Sequence, residues 1–350
     1  MQHRLTGGPL LDERGLLAEA GWSTSETRRY DRAAVAAPRF RIKEWDYYCV
    51  LTQDVGLALT VADNGYMGLL GVSWLDLGAR AEVTENVMLP FPMGSMALPA
   101  SADAGDVVAS HKGLRISFRH TDGGRLLSID HPGFDDGRGL SGELLLAQPA
   151  PVSSGRSADS APDRMVVATP FHKAPKAFYY NQKINCLAAS GEVVVGGRSF
   201  AFDPGSAFGV FDWGRGVWTY DNTWYWGSAS GLVDGKPFGF NIGHGFGDTS
   251  AATENMVFVD GRAHKLDEVT FHLPAGTFDG APWTFTSNDG RFEMTFEPIL
   301  DRAASTDLLV LRSIQHQVFG RFSGHVVLDD GSTIEVADLL GFAEEVRNRW

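Results

Sequence analysis

Short runs in which apolar and polar residues alternate recur along the chain. Each is closed by a glycine-containing pair suited to the positive φ angles of a tight hairpin. Such pairs occur at Asn64-Gly65, Asp122-Gly123, Gly196-Gly197, Asp234-Gly235, Asp260-Gly261, Asp289-Gly290 and Asp330-Gly331. Strands joined by tight hairpins are sequential neighbours, so the pattern predicts meandering antiparallel sheets that close into barrels or stack as sandwiches. Apolar spacing that suits a helical face occurs in "LLDERGLLAEAG" near the start and in "ADLLGFAEEVRNRW" at the end. The expected fold is therefore mostly β with a few short helices.

A chain of 350 residues exceeds one ordinary core and predicts two domains. The stretch "AQPAPVSSGRSADSAPDR" (147–164), rich in Pro, Ser and Ala, reads as a flexible segment and places the division at 1–164 and 165–350. The trio Thr-Glu-Asn precedes or enters an apolar run in each half, in "VTENVML" (83–89) and "ATENMVF" (252–258), which suggests two similar β-barrels in tandem.

The densest aromatic stretch is "DWGRGVWTYDNTWYWGSASG" (212–231), with Trp213, Trp218, Trp224 and Trp226. In an unbroken strand, Trp218, Tyr220, Asn222, Trp224 and Trp226 share one face. Phe238, Phe240, Ile242, His244 and Phe246 form the matching face of the strand after the Asp234-Gly235 turn. Rings at period two are the ordinary filling of a sheet core. Interleaved Asn222, Tyr220 and His244 favour instead an apolar pocket with a few polar groups. Asp212 and Arg215 would form an ion pair at the strand entrance, with Arg215 able to hold an anionic or carbonyl group.

Two further clusters carry polar chemistry. In "AFYYNQKINC" (177–186), Tyr179, Asn181 and Lys183 alternate with Tyr180 and Gln182, so both faces are polar and one is expected to meet a wet cavity or solvent. A lysine in an apolar pocket can act as a base or form a Schiff base. "NIGHGFGDTSAATEN" (241–255) places His244, Asp248 and Glu254 in a glycine-rich run that fits neither a phosphate loop nor a dinucleotide fingerprint. These groups could supply an acid and a base of different pKa in a partly dry site.

The formal charge of −13, without runs of like sign, argues against nucleic acid or an anionic membrane as partner. Cys49 and Cys186 are too few for a disulfide framework and are expected to be reduced. The N-terminus lacks the features of a signal peptide, and no apolar run reaches the roughly 20 residues of a membrane span. A cytoplasmic location is expected. The scattered histidines show no metal-ligand spacing, so no metal is expected, and the absence of a Gly-x-Ser-x-Gly elbow argues against a serine hydrolase of that type; no cofactor is expected.

"KAFYYNQKINCLAASGEV", "FDWGRGVWTYDNTWYWGSASG", "GFGDTSAATENMVF" and "KEWDYY" closely resemble the signature blocks of the bacterial family called domain of unknown function 2804. More remotely, the architecture resembles tandem lipocalin-like proteins such as carotenoid hydratases, AttH proteins and tocopherol cyclases. That resemblance implies two β-barrels in one chain and a hydrophobic ligand handled without a redox cofactor; no catalytic position transfers.

These readings converge on a cofactor-independent lyase or isomerase (elimination, hydration or retro-aldol chemistry) acting on a small hydrophobic or aromatic molecule. Catalytic candidates are His244, Asp248, Glu254 and Lys183. Substrate contacts are Tyr179, Tyr180, Asn181, Arg215, Trp218, Asn222, Trp224 and Trp226. The competing readings are a carrier or sensor of a hydrophobic ligand, and a site in the first half around Trp45, Asp46, Tyr47 and Tyr48. A homodimer is compatible with the sequence.

Overall fold

The computed structural model describes residues 2–148, 161–308 and 311–349. The expected hairpins are all present, and the two-residue turns explain their sequences. At Gly196-Gly197, Asp234-Gly235 and Asp260-Gly261 both central residues have positive φ, the conformation that matches the twist of the flanking strands.

Among the described residues, apart from a two-residue parallel pair between Gly8–Pro9 and Arg28–Arg29, the strands form two curled antiparallel sheets, a barrel and a half-barrel. The first has thirteen strands. Its main path runs Ala81–Pro90, Met67–Asp76, Val55–Asp63, Lys43–Leu51, Phe208–Val217, Phe178–Val195, Leu140–Ala147, Gly124–His131, Leu114–Thr121 and Val107–His111. The second has nine, in the order Arg262–Lys265, Met256–Val259, Lys236–His244, Asp221–Val233, Thr333–Arg349, Leu311–Val327, Phe292–Leu308, Trp283–Ser287 and Val269–His272. The chain passes from one sheet to the other at 218–220, inside the aromatic stretch, so residues 165–217 pair in the first sheet. Most of the Pro/Ser/Ala-rich segment, 149–160, lies outside the described residues.

Both segments with helical spacing turn out otherwise. Thr333–Arg349 is a seventeen-residue strand whose central part is buried on both faces, so apolar residues occupy both parities and the period of two disappears. In the other, Gly15 takes a positive φ and the Asp12 carboxylate accepts from the backbone N–H groups of Arg14 and Leu16, which closes a turn. The α-helix found among the described residues is the single turn Phe134–Gly137.

Each sheet wraps its own apolar core, one containing Tyr48, Phe118, Phe178, Phe211 and Trp213, the other Phe240, Trp283, Phe285, Phe296 and Phe322. A third cluster, with Tyr47, Cys49, Trp226, Phe319 and Phe342, glues the outer face of one sheet to the other. A bulge at Ile184–Leu187 sharpens this contact. It sends Asn185 Nδ2 to Ser228 Oγ (2.8 Å) and Phe240 O (3.0 Å), and seats Cys186, at φ 58°, above Gly239, where a Cβ would lie 2.8 Å from Sγ. Both cysteines are buried and free.

Candidate active site between the two sheets

Where the sheets meet, register aligns polar residues in two facing rows. In the first sheet Lys183 lies opposite Asp212, and Asp212 opposite Tyr47. In the second, Gly243, Trp226, Glu344, Gln317 and Arg302 are successive cross-strand partners. Contacts tie the two sheets together here, and the Tyr47 and Trp226 rings meet edge-on at 6.0 Å. Lys183 Nζ stands 3.7 Å from the Trp226 ring centroid, Tyr47 Oη donates to Gln317 Oε1 (3.1 Å), and Arg302 donates to Ser73 Oγ (2.8 Å).

Lys183 is buried and pairs with Asp212 at 2.8 Å. Taking two charges from water is costly, so such a pair persists only when its remaining valences are filled. Asp212 accepts from Asn181 Nδ2 (2.6 Å) and Trp45 Nε1 (3.0 Å). Gly214 of "DWGRG" serves this packing, since a Cβ there would lie 2.0 Å from the Trp45 ring. A Cβ on Gly243 would lie 2.5 Å from Glu254 Oε1, so that glycine admits the second carboxyl group.

Glu254 Oε2 accepts from Asn241 Nδ2 (3.0 Å), while Asn241 Oδ1 accepts from Trp226 Nε1 (2.6 Å). Glu344 accepts from Trp224 Nε1 (2.9 Å) and Gln317 Nε2 (2.9 Å). Burial raises the pKa of Glu254 against the pull of Lys183, and it pushes Glu344 up to about 7 although Trp224 and Lys183 oppose the shift. Tyr179 is held protonated by burial and by the charges of Asp212, Glu254 and Glu344. Lys183 thus pairs directly with Asp212 and acts through its charge on Glu254 and Glu344, with Lys265 also acting on Glu254 and Arg302 on Glu344.

An aromatic wall rises from this centre. Trp45 stacks on Tyr179 (5.9 Å) and meets Trp218 edge-on (5.3 Å), while Phe246 makes edge contacts with Tyr179, Trp218 and Trp224 at 4.8 to 5.5 Å. Trp45 and Trp224 are half-buried and mark the solvent side. Asn181 Oδ1 and Trp218 Nε1 are buried and find no hydrogen-bond partner among the described residues, an uncommon state for such atoms.

The structure brings together Lys183, Glu254, Tyr179, Asn181, Trp218, Trp224 and Trp226. The other candidates lie elsewhere. The two-residue hairpin pairs Trp226 with Gly243 and Tyr225 with His244, so Phe238, Phe240, Ile242 and His244 face the second barrel's core and do not extend the tryptophan face. His244 stacks on Tyr225 at 4.5 Å, and burial lowers its pKa. Asp248 caps Ser250 N (3.0 Å), which holds its carboxyl below the ordinary value, and pairs with His172 (3.3 Å). Asn222 donates to Thr219 O (2.8 Å) next to the break between the sheets, and Tyr220 points outward.

Asp212 and Arg215 do not pair, because a separation of three puts them on opposite faces of the strand. Arg215 lies within the first barrel, bound to Asp46 (2.9 Å) and to the carbonyls of Trp45 (2.7 Å) and Pro99 (2.8 Å). Tyr180 also faces inward there, donating to Arg28 O (2.7 Å). The 177–186 segment meets no wet cavity: from Phe178 through Leu187 it is buried on both faces. Its polar groups bind partners outside the segment: Asn181 and Lys183 bind Asp212, Asn185 donates to Ser228 Oγ, and Gln182 donates to Glu26 (2.7 Å).

A pocket inside the first barrel, lined by Asp46, Tyr48, Ser101, His120, Arg125 and Phe211, has room for about one water. Its polar groups are committed to the fold. His120 contacts the carbonyls of Gly105 and Ala102, and Arg125 donates to Ala102 O. Among the described residues no group of three or more His, Cys, Asp or Glu is arranged to hold a metal. No described helix is long and apolar enough to cross a membrane.

The model of the domain of unknown function DUF2804 matches residues 2–350. The chain belongs to the DUF2804 family. No curated protein matches its sequence significantly. Among solved structures it is similar to kievitone hydratase from Nectria haematococca, at 11% identity, covering 98% of each chain with a TM-score of 0.52. It is also similar to an AttH-type protein from Nitrosomonas europaea, at 13% identity over 92% of this chain and 98% of that one, TM-score 0.54. At these identities the likeness concerns the fold, which is that of the tandem lipocalin-like group.

Proposed function

We propose that this DUF2804 protein is a cofactor-independent lyase or isomerase, of the hydration–elimination type, acting on a small hydrophobic or aromatic molecule at the junction of the two sheets. The observation that carries the reading is the convergence of Lys183, Asp212, Glu254 and Glu344 at the foot of an aromatic wall. A fold built for packing alone gains little from such a group, because apolar residues of similar volume would be as stable or more so.

Elimination next to a carbonyl needs a base for the proton on carbon, an acid for the leaving hydroxyl and a positive group for the developing enolate. Glu254, its basicity raised by burial, is assigned the first role. Glu344, protonated up to about pH 7, is assigned the second, and Lys183, oriented by Asp212, the third. Proton transfer to Glu254 and from Glu344 expels water; the reverse sequence adds it. That one structural neighbour is a hydratase agrees with this class.

The test is to incubate the protein with metabolite extracts and follow them by mass spectrometry. Wild type should convert an aromatic or isoprenoid compound to a product differing by one water or isomeric with it, and Glu344→Gln and Lys183→Met should not. Equal conversion by all three, or none by wild type across extracts rich in such compounds, contradicts the reading.

A further inference from the structure

The formal charge of −13 is an average that one segment reverses. Residues 28–43 hold six of the 30 basic side chains, Arg28, Arg29, Arg32, Arg39, Arg41 and Lys43, against one acidic side chain, Asp31. A 3-10 turn within the segment, Arg39–Arg41, is exposed and sets Phe40 between two arginines. Three turns meet there. A Cβ on Gly65 would collide with Phe40 O, Met93 N donates to Gly65 O (3.0 Å), and Phe91 N donates to Tyr66 O (3.0 Å). The buried carboxylate of Asp63 ties two of the turns together, accepting from Gly65 N (3.0 Å) and Gly94 N (2.7 Å). Within this frame Pro92 is buried, while Phe91 and Met93 are turned outward, 67% and 38% exposed, as Phe40 is at 49%. Phe91 and Met93 both adopt a left-handed backbone, with φ 47° and 48°, which is costly for a bulky residue and persists only where the surroundings hold it.

We propose that Phe40, Phe91 and Met93, with Arg39 and Arg41, form a docking surface for an anionic lipid bilayer. A single exposed apolar residue needs no explanation, but three presented from turns braced against one another form a patch that favours leaving water. Apolar tips that enter the headgroup region, with arginines at their base, match the chemistry of such an interface. The carboxylates behind the platform do not cancel these arginines, because Asp63 and Glu44 are buried and face Arg32, which pairs with Glu44 at 2.6 Å. The negative charge of the remaining chain keeps the other faces away from the same surface and so orients the molecule. A second copy of the chain is the weaker occupant, since a two-fold contact centred here would set Arg39 and Arg41 against their own equivalents. The platform adjoins the aromatic wall, where Arg41 donates to Trp218 O at 2.9 Å. A hydrophobic molecule leaving the lipid would meet the tryptophans first. That last step rests on the lyase reading of the junction; the docking does not.

The test is co-sedimentation of the full chain with vesicles of phosphatidylcholine alone and of equal parts phosphatidylcholine and phosphatidylglycerol. Wild type should partition onto the anionic vesicles, far less onto the neutral ones, and less onto either as salt is raised. Phe91→Ser/Met93→Ser should lower the partition by about tenfold or more through lost apolar burial, whereas Phe91→Leu/Met93→Leu should retain it. Arg39→Gln and Arg41→Gln should each weaken it by about fivefold, and together they should remove the preference for anionic lipid. Near-ultraviolet circular dichroism confirms that each variant is folded, and the lipid and salt dependence of wild type needs no variant at all. Failure of wild type to sediment with anionic vesicles, or equal binding to both kinds of vesicle, overturns the proposal. So does a dimer in sedimentation equilibrium that Phe91→Ser/Met93→Ser dissolves and anionic vesicles do not, which would assign the patch to a second copy. None of these readouts involves turnover, so a failed docking surface and a failed lyase reading give different results.

Discussion

Replacing Lys183 by methionine probes the centre of the site. The substitution preserves much of the stem volume but leaves Asp212 facing Trp226 without its cation. Both side chains are nearly inaccessible, at 3% and 9%. Removing one partner of a buried pair costs about 3–5 kcal/mol because the other charge is stranded. Asp212 keeps the N–H donors of Asn181 and Trp45, which places the expected loss near the lower limit, about 3 kcal/mol. The cation–π contact with Trp226 is lost as well, adding about 1–2 kcal/mol. In urea unfolding this should appear as a lower midpoint with an unchanged slope. Adding Asp212→Asn removes the stranded charge while its carbonyl still accepts from Trp45, so Lys183→Met/Asp212→Asn should recover about 2 kcal/mol relative to the single variant. A single variant within about 0.5 kcal/mol of wild type, or a double variant less stable than the single, would refute the reasoning.

Other consequences are simpler to check. The carboxyl of Glu344 rises from an ordinary 4.5 to about 7 on folding, so the folded state binds more protons in that window. Stability should therefore fall by about 3 kcal/mol as pH rises through it, and Glu344→Gln should flatten the profile measured by urea titration. Gly214→Ala puts a methyl group against the Trp45 indole; it should cost at least about 1–3 kcal/mol and weaken the near-ultraviolet circular dichroism of the Trp45–Tyr179–Trp218 group. Arg215→Met should destabilise by about 3–5 kcal/mol, read by the same unfolding assay, because it strands Asp46 in the first barrel. Burial pushes both thiols up to about 12, so Cys49 and Cys186 should resist Ellman's reagent at pH 8 until the protein is unfolded.

The parts of the fold that could be read beforehand are those set by neighbours in sequence. A two-residue hairpin demands positive φ at its centre, and Asp-Gly or Gly-Gly announces it locally. The passage between sheets at 218–220 sends no such signal, because "VWTYDNTW" continues the aromatic alternation across the break. Glu344 was hidden for a related reason: it lies in a strand buried on both faces, where charged and apolar residues imitate a helical period. The Lys183–Asp212 pair depends on register between strands some thirty residues apart, which neither segment reveals alone. Two facts were within reach. A separation of three already puts Asp212 and Arg215 on opposite faces of a strand, and the Asp234-Gly235 turn already sets Gly243, rather than His244, against Trp226. Following that register would have led from Trp226 to Asn241 and Glu254 and away from the second barrel's core.

Whether the chemistry sits between the sheets can be read from a crystal structure of the protein as purified with any retained small molecule. Ligand density is expected against Trp45 and Trp224, with its reactive end in hydrogen-bond reach of Lys183 or Glu344. Density beside Arg125 and Asp46 inside the first barrel, with the Lys183 cluster unaltered, would contradict it.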